Sequence, residues 1–452
     1  MSVLRVILAA LVLAAAVFPP AAMAGARPIA IVGGTVIDGN GGAPIENGVV
    51  VIGDDVILAV GPSVDIEVPD DAEIIDASGQ SVMPGLADMH IHLLGGWDGV
   101  SVDMLGYRRY LNAMLYAGVT TVLDTGNVMP YILQLRSATE SGALDGPRIY
   151  AVGPLVEGAD PFWPPISQIM TSASQAPAIV GQLNRAGVDA VKAYQGLSVP
   201  QLQALVLAAG ELDLPVIADL WARSFTYDIV ATGVAALAHL PSRIVEAPTL
   251  ELLQANDVAV ITTLAVKESF AEHRLQDLSF LEHPLIANTN PPQLSSALRD
   301  YAGATPSERR LQFREQYRRA LAISKATARR LHEAGVMLVA GTDAPYPGTL
   351  YGEGLHRELE LLVDSGLTPL QAIGTATKNA AALMLADDWG TLDPGKRADL
   401  LLVEGRPDRN IGDTRNVRVV IQAGRVVDRD ALTFDESDGP VFAPGNPVDS
   451  AN

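Results

Sequence analysis

The alternation of apolar and polar positions changes character twice along this chain. From residue 29 to 82 the apolar runs are short and punctuated by turn residues: Ile29 to Gly33, Thr35 to Gly39, Gly48 to Ile52 and Val56 to Val60. Gly53-Asp54-Asp55 between the last two is a hairpin signal. From Met83 to about Leu385 longer apolar runs alternate with helical stretches such as Val199–Glu211 and Arg318–Ala334. Eight of these runs are predicted strands: Leu86–His92, Val119–Asp124, Arg148–Val156, Val188–Tyr194, Leu214–Leu220, Val234–Leu240, Val258–Val266 and Val336–Asp343. Most are continuously apolar, as strands covered on both faces must be.

Eight such units, in the size range of one α/β barrel, predict a (β/α)8 TIM barrel over residues 83–385. Short β runs return over 386–436, with strands at Ala398–Val403 and Val417–Ile421 and a hairpin at Gln422 to Val427. The expectation is a small β-sandwich domain made of residues 25–82 and 386–436, with the barrel inserted between its halves. Residues 437–452 form a Pro/Gly/Asp-rich tail. The longest interval between strands, 267–317, follows strand seven. It reads either as a lid over the barrel mouth or as a surface excursion with short helices of its own.

Composition narrows the function. Apolar residues make up 48% of the 452, enough for a substantial core, and the net charge is −21. A chain so acidic offers no basic surface to neutralise phosphates, so nucleic acid is not an expected partner. Cysteine is absent, which removes disulfides, thiolate ligands and a cysteine nucleophile. At the N-terminus, Arg5, the apolar run Val6 to Phe18 and the small-x-small triplet Ala22-Met23-Ala24 read as a signal peptide over 1–24. The run is short for a membrane span, so export to the periplasm or beyond is expected, without stable membrane insertion after cleavage.

Candidate chemistry gathers at the C-terminal ends of the predicted strands, where barrels carry their active sites. His90-Ile91-His92 ends strand one, and two residues spaced by one on a strand point to the same side. Lys192 lies in strand four, Asp219 ends strand five, His239 ends strand six and Asp343 ends strand eight. Neutral imidazoles with a carboxylate make a site for a divalent ion. Lys192 inside an apolar run needs either a partner or chemical change. Carboxylated, it would become an anion able to bridge two ions; unmodified, it would pair with Asp219 or Asp343. Tyr194, Trp221 and Arg223, beyond strands four and five, and His356, after strand eight, are candidates for the substrate pocket.

Several segments together resemble the amidohydrolase superfamily, in its imidazolonepropionase-like and prolidase-like branch. They are Val82 to His92, Gly341-Thr342-Asp343, Leu367 to Ala372 with Asn379-Ala380-Ala381, and Gly390 to Leu400. The resemblance covers essentially the whole mature chain. It implies that His90, His92 and Asp343 hold a first metal, and that a carboxylated Lys192 bridges to a second held by His239 and a strand-five histidine. Here strand five carries Asp219 instead, which leaves one or two ions, zinc first among them.

The implied activity is hydrolysis of a carbon–nitrogen bond in an amide, cyclic amide or dipeptide-like molecule by a metal-bound hydroxide. In that scheme Asp343 moves the proton and His239 ligates or polarises. The alternatives are a weakly metallated binding protein or a lyase or isomerase on the same barrel. A small-molecule substrate and a homo-oligomer are expected. When the full chain is expressed in a host with a general secretory system, the exported protein should begin at Gly25, read by N-terminal sequencing; an exported product retaining Met1 would count against the signal assignment.

Overall fold

The computed structural model describes residues 27–99, 101–220 and 226–438. The N-terminal segment over 1–24, Trp221, Arg223 and residues 439–452 of the tail lie outside the described residues.

The two β-rich ends of the chain meet in one eight-stranded sheet. Its seam is the antiparallel pairing of Gln80–Pro84 with Leu400–Glu404, in which Leu402 faces Val82. Ile29–Val36 pairs on one side with Ile45–Gly53 and on the other with Glu73–Asp76 and then Gln80–Pro84. The sheet therefore folds over at this strand. Alternation along it sends Ile29, Ile31 and Val36 into a core with Val50, Ile57, Leu400 and Leu402. Ala30 faces the other way, against Val49, Val51 and Ala72.

Between these halves the chain forms the barrel. Its eight parallel strands are Leu86–Ile91, Val119–Asp124, Arg148–Ala151, Val191–Ala193, Val216–Asp219, Ala236–Ala238, Ala259–Ile261 and Leu338–Val339. Inside, Ala87, Met89, Leu123, Ile217, Ala238, Ile261 and Val339 fill the axis. Outside, larger aliphatics from the strands pack against the helices. The ring closes where strand eight meets strand one: Met89 N–H donates to the Ala340 carbonyl at 3.1 Å, and Asp343 N–H to the His90 carbonyl at 2.7 Å.

The strands are shorter than their apolar runs. Strand three does not reach Val156: Gly153 adopts a left-handed φ of +70° and Pro154 has no N–H to give. The chain restarts as Leu155–Glu157, which carries the barrel wall on to strand four, Val156 opposite Ala193, and pairs on its other side with Ser167–Ile169. Strand seven stops at Ile261, and Leu264–Phe270 is already helix. The interval 267–317 is a helical excursion. Pro292–Gly303 and the start of the long helix Glu308–Glu333 lie in it, over a small core of Leu275, Leu281, Ile286, Leu294 and Leu298. No helix among the described residues is long and apolar enough to cross a membrane.

A buried ion network holds the parts together. Glu353, fully buried at the start of helix Glu353–Asp364, is paired with Arg274 of the excursion and Arg415 of the C-terminal segment. Burial opposes its charge, but the two guanidiniums outweigh that and hold the carboxyl well below the ordinary carboxylate range. The pairing is therefore complete at neutral pH and is lost only as acid titrates past the ordinary range toward the depressed value. Replacing Glu353 with Ala leaves two buried guanidiniums uncompensated. Equilibrium denaturation should show a loss of about 3–5 kcal/mol, and a loss under about 1 kcal/mol would show the pairing to be energetically idle.

Candidate metal centre

At the C-terminal mouth of the barrel the strand ends bring the sequence-predicted donors together. His90 and His92 leave strand one on the same side, as their spacing requires. His92 Nε2 lies 3.1 Å and His90 Nε2 3.5 Å from the same oxygen, Asp343 Oδ1. His239 follows strand six, its ring 4.7 Å from that of His90 between centroids. Ligand atoms of His90, His239 and Asp343 all fall within 4.8 Å of one another, and all three residues are buried.

Local backbone places them. Asp343 and His239 both have positive φ, +60° and +70°, a conformation costly for residues with a Cβ and common at functional sites. At Asp343 it is supported from below by Asp88, whose buried carboxyl accepts from Thr342 N–H at 2.9 Å and Thr342 Oγ1 at 2.7 Å. Burial pushes Asp88 up to about 7 against these bonds. Gly341 lets strand eight pass strand one, since a Cβ there would lie 2.7 Å from Ile261 Cγ2 and 2.8 Å from His90 Cβ. Asp124, at the end of strand two, accepts from Leu93 N–H at 2.8 Å and so anchors the chain just after His92.

The donors fit an ion. Burial, and then the neighbouring Lys192, His239 and His92, hold His90 far below its ordinary pKa, so it is the neutral imidazole that ligation requires. Its Nδ1 has no hydrogen-bond partner among the described residues. The 3.5 Å from Nε2 to Asp343 is beyond normal hydrogen-bond length. A buried imidazole nitrogen left unsatisfied costs about 1–3 kcal/mol, and a cation between His90 and Asp343 would remove that deficit at Nε2. His90 and Asp343 would hold the cation, with His239, within 4.8 Å of both, and His92, 3.1 Å from Asp343, on either side.

The other half of the site is closed by side chains. Lys192 and Asp219 are each 1% exposed, and Lys192 Nζ lies 3.3 Å from Asp219 Oδ2. The same oxygen is 3.0 Å from His239 Nε2, while His239 Nδ1 is 2.8 Å from Thr263 Oγ1. Tyr194 stands beside this group: burial, then Asp219 and Asp343, raise its phenol well above the ordinary value. Tyr346, three residues past Asp343, has its phenol raised by burial and by Asp343, Tyr194 and Tyr317. A cavity of about 860 Å³ opens beside His239, between Leu220, Lys267 and Tyr317 of the long helix.

His356 does not belong to this group. It is fully buried, with Nε2 at 2.9 Å from the Ala117 carbonyl and Nδ1 at 3.0 Å from Thr414 Oγ1, so both ring nitrogens are engaged in fixing the C-terminal segment. Burial, with Arg415 nearby, takes it down to about 4, and it stays neutral. Thr263 and Asp88 were missed by sequence reasoning. Asp88 lies inside the strand-one segment, so proximity to that motif was the available signal. Thr263 carried none.

Residues 81–427 match the family described as Amidohydrolase family, and the chain belongs to it. It is 26% identical to adenine deaminase 2 of Rhizobium etli over 389 residues, 84% of this chain but 53% of that protein, so it spans about half the length of this curated relative. A crystal structure of a Xaa-Pro dipeptidase with bound methionine superposes with a TM-score of 0.72 at 22% identity, covering 89% of this chain and all of that one. That of a putative prolidase from Bifidobacterium longum gives 0.71 at 26% identity, over 90% of this chain and 98% of that one.

Gly341→Ala should drive its methyl into Ile261 and His90. The expected cost is about 1–3 kcal/mol in unfolding free energy, together with weaker binding of divalent ions in calorimetry. Unchanged ion affinity would show that this close approach does not set the donor geometry.

Proposed function

We propose that this protein is a metal-dependent hydrolase that cleaves a carbon–nitrogen bond in an amide, cyclic amide or dipeptide-like substrate. The observation that carries this reading is the convergence of buried His90, His239 and Asp343 at the mouth of an amidohydrolase-family barrel. When bound, a divalent ion, zinc being the first to try, supplies a water acidified toward neutrality and a Lewis acid for the scissile carbonyl.

The protein's own groups do the rest. Asp343, held by its backbone bond to His90 and at 3.1 Å from His92, is the carboxylate placed to take the proton of the attacking water and to return it to the leaving nitrogen. His239, its Nε2 directed at Asp219 and its Nδ1 at Thr263, is fixed in one orientation beside the reacting centre. Among the described residues, the cavity beside His239 touches the centre only through that residue and is lined mainly by Leu240 to Arg243, Lys267 and the long helix, so it adjoins the donors rather than containing them. The 26% identity to a putative prolidase from Bifidobacterium longum supports dipeptide-like substrates.

The test is a screen of dipeptides, N-acyl amino acids and lactams with the zinc-loaded chain. On any substrate turned over, Asp343→Asn should lower kcat by roughly 10²–10⁴-fold, the range of general acid–base catalysis, with little change in melting temperature. Unaltered turnover in that variant would remove Asp343 from the mechanism. Turnover in which no carbon–nitrogen bond is hydrolysed would overturn the bond assignment.

A further inference from the structure

The strand-four and strand-five side of the mouth departs from the two-ion arrangement implied by the family resemblance. That arrangement needs a carboxylated lysine, a strand-five histidine and His239, all turned toward one ion. Here Asp219 stands in the histidine's place. Its Oδ2 is 3.3 Å from Lys192 Nζ and 3.0 Å from His239 Nε2. The nitrogen His239 would offer an ion on this side is thus directed at a carboxylate, and its other nitrogen at Thr263.

We propose that Asp219 replaces the second ion: the centre takes a single divalent cation, and Lys192 remains an unmodified amine paired with Asp219. This rests on the reading of the centre as a cation site. Three physical arguments carry it. Lys192 and Asp219 are both 1% exposed and lie 3.3 Å apart, and among the described residues Lys192 Nζ has no hydrogen-bond partner besides this ion-pair contact, so Asp219 is the anion available to it in a place water does not reach. Carboxylating Lys192 would turn the cationic member of the pair into an anion facing Asp219 at the distance now set by attraction. And a carboxylate is shorter than an imidazole, so at the end of strand five it reaches its neighbours on strands four and six rather than the middle of the mouth.

The pair does a structural job that a metal would otherwise do. Strands four, five and six are adjacent and parallel, with Lys192 beside Ile217 and Asp219 beside Ala238. Lys192, Asp219 and His239 run across these three strand ends as one chain of contacts. His239 keeps its orientation, and the reaction is left to the ion held by His90 and Asp343.

The experiment counts ions and looks for the modification directly, without using activity. The full chain is equilibrated with excess zinc in bicarbonate buffer and gel-filtered, and bound zinc is measured by elemental analysis. A lysine carbamate is sought by NMR in isotopically labelled bicarbonate. One zinc per chain and no carbamate signal are expected. Two zincs per chain, or a carbamate in the wild-type protein, overturns the proposal. Failure to bind any zinc overturns the cation-site reading itself and this inference with it.

Asp219→His should restore the missing ligand. Zinc content should rise from one to two per chain. The Lys192 ammonium should then lose a proton to solvent and the resulting amine add to carbon dioxide, forming the N–C bond and releasing a second proton, so that the labelled carbamate appears. If this variant does not fold, the double variant Lys192→Met with Asp219→Asn serves instead. It removes both charges together and should retain one zinc per chain; loss of that zinc would show the pair to be part of the ligand set and would overturn the proposal.

Discussion

The passage of strand eight across strand one is the constraint on which the rest depends. Three bonds define it: Asp343 N–H to the His90 carbonyl at 2.7 Å, Met89 N–H to the Ala340 carbonyl at 3.1 Å, and Thr342 Oγ1 to Asp88 at 2.7 Å. These close the barrel. They also put a carboxylate beside two imidazoles. Gly341 is the residue that permits the approach, because a side chain there would strike His90 itself. Fold closure and donor assembly are one event here, so a change that loosens the seam should disturb ion binding before it disturbs the distant helices.

Around this seam the charged groups divide by what surrounds them. Glu353 lies between two guanidiniums and keeps its charge in the interior. It ties the excursion after strand seven to the C-terminal segment. Asp88 lies equally deep but has only hydrogen bonds, and burial raises it to about 7. Lys192 has Asp219 as its ion-pair contact. Among the described residues, His90 Nδ1 and Lys192 Nζ are buried without a hydrogen-bond partner, and His90 turns its other nitrogen, Nε2, toward Asp343, where an ion would be bound. The electrostatics of the mouth and the arrangement of its donors thus point to one locus. Membership of the Amidohydrolase family gives that locus its chemical setting.

Much of the site was legible because local periodicity decides it. The one-residue spacing of His90 and His92 fixes their common side on any extended strand. The ends of apolar runs locate Lys192, Asp219, His239 and Asp343 at strand termini whatever the packing. Strand lengths were less legible, since apolar character continues past the last ladder bond. The run through Val156 is broken by Gly153 and Pro154, and the run through Val266 is already helical from Leu264. His356 shows the same limit from another side. Its position after strand eight suggested the mouth, but helix Glu353–Asp364 turns it toward Ala117 and Thr414.

By itself, then, the sequence determined the order of layers, the pairing of the chain's two ends into a β domain around a barrel, and the residue types available at the barrel mouth. These follow from runs and spacings that act over a few residues. Tertiary structure alone decided which of those residues share an oxygen, that Asp219 turns to Lys192 and His239, and that Thr263 joins the site. Such choices depend on the relative height and rotation of strands far apart in the chain. They are set by packing inside the barrel, where an alanine or an isoleucine at the axis moves a neighbouring strand end by the distance that separates a ligand from a bystander.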